Sequence, residues 1–123
     1  NYYASVKLEE PEKSFEIIKN MLIKNKKITS IICSTEFSAL SAIKACNYLN
    51  LIIGKDISII TFDGPLVRDL SSPPITAASF PVKDLGKKAI NILLNSKINK
   101  NKSTNYLAKT EIIERGSVHT VKE

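Results

Sequence analysis

A chain of 123 residues can bury one modest core but not two full lobes, so a single unit or a piece of something larger is expected. Hydrophobic residues at 43% and charged residues at 24% match an ordinary globular protein and exclude a disordered or membrane-embedded class. The net charge is +6, yet lysines spread along the chain carry nearly all of the positive charge and Arg68 and Arg115 are the only arginines, so it reads as a solvated surface and not a nucleic-acid footprint.

Asn1 to Glu10 shows no basic stretch followed by an apolar core, so no secretory signal is expected there. Pro11 suits a first helical turn, and Phe15, Ile18 and Leu22 form an apolar stripe at helical spacing, which predicts a helix from about Pro11 to Asn25. Ile28 to Cys33 is short and rich in β-branched residues and predicts a buried strand. Ser34 or Thr35 can cap a second helix whose apolar face is Phe37, Leu40, Ile43 and Leu49, with Ala39, Ala42 and Ala45 beside it. After a loop with Gly54, Asp56 to Phe62 predicts a strand that stops at Asp63-Gly64-Pro65. The longest apolar runs, Leu51 to Ile53 and Ile57 to Ile60, are too short to span a bilayer, so no membrane partner is expected. Pro73 and Pro74 exclude regular helix, Ile75 to Phe80 can be extended, and Pro81 opens a third helix with Leu85, Ala89, Ile92 and Leu93 on its apolar face. A Lys/Asn-rich connection from Asn99 to Asn105 leads to a last strand from Tyr106 to Arg115. Helices alternate with strands, the pattern of an α/β fold with a largely parallel sheet.

Cys33 and Cys46 lack CxxC spacing and sit in apolar surroundings, which predicts buried free thiols in a reducing compartment. His119 has no second ligand at a suitable spacing, so neither a metal nor another cofactor is expected, and a tail histidine of this kind reads as inert. Enzymatic function has no support: there is no G-x-S-x-G elbow, no Gly-rich phosphate loop and no histidine placed to serve a nucleophile.

Open α/β sheets bind ligands at the carboxyl ends of their strands, which singles out Asp63. It can accept hydrogen bonds from a ligand or simply bond its own backbone in the turn before Gly64. Thr35 can offer its hydroxyl to a ligand or cap the second helix. Glu36 would lie in a first helical turn, where the dipole favours a carboxylate without any ligand. Leu66, Val67 and Leu70 read as core filler.

From Asp56 onward the strings DISIITFDG, SSPPIT, FPVKDLGKKAINILLN and EIIERGSV, with SIICSTEFSALSAIKA upstream, stand in the order and spacing of the closing third of the LacI/GalR regulators. The chain resembles that family over nearly its whole length. The resemblance implies a type I periplasmic-binding-protein-like sensor of two lobes. A small-molecule effector, a sugar or related metabolite, lies between them and controls operator binding by an N-terminal helix-turn-helix head. It further implies that residues 1–80 belong to the C-terminal lobe, 81–105 to a helix and connection of the N-terminal lobe, and 106–123 to a closing strand and tail. Asp63, Thr35, Glu36 and Glu9 would then contact ligand, while Phe37, Ala39, Leu40, Leu66 and Leu70 would face a second copy in a cytoplasmic homodimer. Where the family has an Asn-Asp pair this chain has Thr35-Glu36, and Gly64 replaces a second polar residue, so the resemblance does not name the ligand. An exported solute-binding protein of the same fold is the alternative.

Overall fold

The computed structural model describes residue 4 and residues 10–62, 70–96 and 105–120. Its elements are α1 (Pro11–Lys24), β1 (Ser30–Cys33), α2 (Glu36–Tyr48), β2 (Ser58–Phe62), β3 (Thr76–Ser79), α3 (Val82–Ser96) and β4 (Glu111–Ile113). The strands lie in one sheet in the order β1-β2-β3-β4. β1, β2 and β3 run parallel, in a register that pairs Cys33 with Thr61 and Ile60 with Thr76. The α/β class expected from the alternation is therefore the observed one.

Two compact units divide the chain: Asn1–Ala78 together with Ile112–Glu123, and Ser79–Glu111. In the first, α1 begins with proline at its amino end and buries Phe15, Ile18 and Leu22, the stripe read from the sequence. α2 packs against α1 and over β1 and β2. Its buried side differs from the expected one, because Ala39, Ala42, Ala45 and Cys46 are fully buried while Phe37 is 53% and Leu40 39% exposed. Only small side chains let a helix approach two layers this closely; a phenylalanine on that side would hold the backbones apart.

β1 is shorter than the predicted strand and is buried on one side only. Cys33 is buried and Ile31 packs against the core, but Ile32 is 77% exposed, since successive side chains alternate and the core lies on one face of this strand. The turn before β2 depends on Gly54, which has φ +80° and on which any Cβ would collide with the carbonyl of Gly116. Asp56 closes the same turn, its Oδ2 accepting the Ile52 N–H at 2.8 Å.

The last residues stitch the sheet together. Ser117, fully buried, donates from Oγ to the Ile59 carbonyl at 2.6 Å and accepts the Thr76 N–H at 2.8 Å. The Ile59 N–H in turn donates to the Ser117 carbonyl at 2.9 Å. The Arg115 N–H donates to Thr76 Oγ1 at 2.9 Å, and its guanidinium donates to the Ile75 carbonyl. His119 adds a contact to the strand: its N–H donates to Ser58 Oγ at 3.2 Å, and its Nδ1 lies 2.9 Å from the same oxygen. The regular strand expected over Tyr106 to Arg115 contracts to Glu111–Ile113, because the ensuing bonds are made by side chains and by irregular backbone.

In the second unit, Pro81 precedes α3 and its carbonyl accepts the Leu85 N–H at 2.9 Å. Of the expected apolar face, Leu85 and Ile92 are half-buried, and Ala89 and Leu93 are exposed. Lys88 holds its ammonium 5.4 Å from the centre of the Tyr106 ring.

Candidate functional site

Three parallel strands put their carboxyl ends on one edge. β1 runs out through Ser34 and Thr35 into α2, and the register Cys33 to Thr61 brings this exit beside Phe62, where β2 ends. The edge thus collects polar groups just where a parallel sheet leaves backbone and side chains directed outward.

Thr35 is the best defined of them. It is extended, with φ −144° and ψ 159°, and its Oγ1 accepts the Ser38 N–H at 3.2 Å. Ser38 reciprocates, its Oγ accepting the Thr35 N–H at 3.1 Å and donating to the Thr35 carbonyl at 2.7 Å. The capping reading of Thr35 therefore holds. The two roles do not compete for the same atoms: the cap uses Oγ1 as an acceptor and Ser38 has committed its own proton to a carbonyl, so the Thr35 hydroxyl proton can point to Ser38 Oγ, 3.1 Å away, or to a ligand. Glu36 follows in the first turn of α2, half-buried.

Asp63 and Glu9, the other two residues expected to contact ligand, lie outside the described residues, as does Leu66. Phe62 was not singled out in the sequence. It is 43% exposed at the end of β2 and gives the edge an aromatic surface. The aromatic residue immediately before Asp63 was the available signal.

Of the surface expected to meet a second copy, Phe37 and Leu40 are exposed on α2, and Leu70 is 79% exposed. Ala39 is corrected: it has no accessible surface and packs into the core, so it cannot touch a partner. The thiols of Cys33 and Cys46 are free and buried. Burial pushes Cys33 up to about 12, against a lowering hydrogen bond with Ser38, and pushes Cys46 up to about 11. Such thiols hold their protons and neither attack nor ligate at neutral pH. Among the described residues no group of His, Cys, Asp or Glu is arranged to hold a metal ion.

A depression of about 390 Å³ lies elsewhere, between Asn47–Ile53 and Ser72–Pro73. It sits at the amino ends of β2 and β3, opposite the polar edge, and no charged side chain lines it. It is open packing around the end of α2, where Asn50 takes φ 55° to turn the chain.

The sequence pattern of the periplasmic binding protein-like domain matches residues 3–118. The HTH-type transcriptional repressor PurR of Actinobacillus pleuropneumoniae is 37% identical over 118 residues, which cover 91% of this chain and 34% of that protein. The HTH-type transcriptional regulator RegA of Clostridium saccharobutylicum is 31% identical over 118 residues, 94% of this chain and 34% of its own. A crystal structure of a LacI family transcriptional regulator from Bifidobacterium animalis subsp. lactis superposes with a TM-score of 0.80 at 26% identity, covering 91% of this chain and 41% of that one. The chain spans about a third of the length of the curated relatives it matches.

Proposed function

The chain belongs to the LacI/GalR family of regulators, in the periplasmic binding protein-like domain, and from that premise we propose that it works as part of the effector-binding region of a ligand-responsive transcription regulator, most simply a repressor. The observation that carries the reading is the carboxyl edge, where Thr35 and Glu36 leave β1 beside the end of β2 at Phe62, one residue before Asp63. A carboxylate accepts hydrogen bonds from hydroxyls, a threonine hydroxyl can donate, and an aromatic side chain covers the apolar face of a sugar ring. A sugar or related polyhydroxylated metabolite is the class of effector that this set fits. The named relatives are all regulators, which favours this reading over an exported solute-binding protein.

In the longer protein residues 1–80 would build the C-terminal lobe, 81–105 a helix and connection of the N-terminal lobe, and 106–123 the closing strand and tail. Operator DNA would be bound by an N-terminal head outside this chain. Phe37, Leu40, Leu66 and Leu70 would face the second copy of a homodimer, with a cytoplasmic location. No helix among the described residues is long and apolar enough to cross a membrane.

Calorimetric titration of the longer protein with a panel of pentoses, hexoses and disaccharides tests the site. Asp63→Asn keeps volume but removes the charge, and the loss of a charge-assisted hydrogen bond of about 1.5–3 kcal/mol weakens binding roughly ten- to a hundredfold. Unchanged affinity with unchanged melting would reduce Asp63 to a turn residue.

A further inference from the structure

Among the described strands β1 stands at the edge of the sheet, with β2 on one side and no strand on the other. The Ser58 N–H donates to the Thr29 carbonyl at 2.8 Å, which sets the phase of the ladder. In a parallel pair alternate residues turn their backbone groups the same way, so Thr29, Ile31 and Cys33 face β2 while the N–H and C=O of Ser30 and Ile32 face outward. Among the described residues nothing bonds to those outward groups. The side chains leave the same residues uncovered, since Ser30 is exposed and Ile32 is 77% exposed. Native edge strands are blunted by charge, by proline or by a bulge, whereas Ser30–Cys33 has neither charge nor proline and its register with β2 runs unbroken.

We propose that this edge is an interface for a second copy of this chain, joined antiparallel through β1 about a two-fold axis at Ile31. The strand is its own complement in that arrangement: Ser30 of one copy falls opposite Ile32 of the other, and each such pair exchanges both of its N–H···O bonds. The groups used are the ones that β2 leaves outward. Ile32 of the two copies become diagonal neighbours, about 7–8 Å apart, on the sheet face opposite the buried Cys33. The flanks of the strand agree with this direction. Lys26 and Lys27 precede β1 and Glu36 follows it, so an antiparallel partner brings the basic flank of each copy toward the acidic flank of the other, whereas parallel copies set like charge against like. β1 and its flanks belong to the first unit, and the interface is separate from the surface of Phe37 and Leu40 on α2. So short a strand buries little area, which makes the association weak, with a dissociation constant of about 10 µM to 1 mM.

Sedimentation equilibrium of the full 123-residue chain across that range of concentration tests the association. The weight-average mass rises with concentration from that of one chain toward that of two. Ile32→Lys, at an exposed position, raises the dissociation constant at least about tenfold, while Phe37→Ser combined with Leu40→Ser leaves it within about twofold. Hydrogen exchange followed by NMR reads the register without any substitution: the Ser30 and Ile32 amides gain protection as concentration rises, and the Ile31 and Cys33 amides, turned toward β2, are protected throughout. A chain that stays monomeric over the whole range overturns the assignment, as does a dimer that Phe37→Ser with Leu40→Ser disrupts and Ile32→Lys does not. Full protection of the Ser30 and Ile32 amides in dilute samples overturns it too, since a segment of the same chain would then occupy the edge. No effector enters these measurements, so their outcome is separate from that of the sugar titration.

Discussion

A single hydroxyl closes the sheet. Ser117 both donates to Ile59 and accepts from Thr76, and its own carbonyl accepts the Ile59 N–H, so one fully buried residue adds to the direct pairing of β2 with β3. Ser117→Ala leaves the Thr76 N–H buried without its acceptor, and the expected cost is about 2 kcal/mol, the desolvation of an unpaired backbone donor. Urea unfolding should show it as a lower midpoint at unchanged slope; an unshifted midpoint would mean that the tail only rests on the sheet. The sequence shows Ser117 only as one position in the string EIIERGSV and leaves its task invisible. Its partners are 41 and 58 residues away, and no local pattern encodes which strands a tail will join. Thr35 is the opposite case: its cap closes within three residues, and the spacing alone was enough to expect it. Cys33 and Cys46 were legible for the same kind of reason, because an apolar neighbourhood in sequence became an apolar neighbourhood in space.

Among the elements, α2 shows where hydrophobic periodicity stops being informative. Phe37 and Leu40 recur at helical spacing, and so do Ala39, Ala42 and Ala45, on neighbouring stripes of the same helix. Hydropathy favours the large residues; close packing against α1 and the strands selects the small ones. Which stripe wins is a matter of interaxial distance, a quantity that belongs to the pair of elements and not to either sequence. Two substitutions separate the alternatives. Ala42→Leu puts three extra carbons into a fully buried position and should cost about 1–3 kcal/mol by overpacking. Phe37→Ser removes an exposed ring from this chain and should change its stability by no more than about 0.5 kcal/mol at concentrations where it is monomeric. Thermal melts of both variants check this, and the reverse order of effects would restore Phe37 to the core and the alanines to the surface.

At the scale of the whole molecule the α/β class was legible, because alternating strand and helix patterns permit few other layerings, and so was the carboxyl edge as the place to look for a site. What the sequence could not show is how differently the two units are held. Every buried hydrophobic residue among those described, from Phe15 to Ala77, lies in the first unit. No described residue of Ser79–Glu111 is buried, and Ile90, Leu93 and Leu94 on α3 are 60%, 61% and 56% exposed. A 15-residue helix without a buried face relies on its own hydrogen bonds and on contacts such as Lys88 with Tyr106, and such helices are marginal in water. Opening of α3 in this chain should therefore cost little, whereas opening of α2 or β2 requires exposing the core around Ile57, Ile59 and the alanine stripe. Hydrogen exchange followed by mass spectrometry or NMR should find the α3 amides unprotected or nearly so, with those of α2 and β2 slower by at least about two orders of magnitude, a difference of about 3 kcal/mol in opening free energy. Equal protection of α3 and α2 in the monomeric chain would show that α3 is supported by packing that its exposed side chains do not reveal. Protection that rises only with protein concentration would instead locate the support in a second copy.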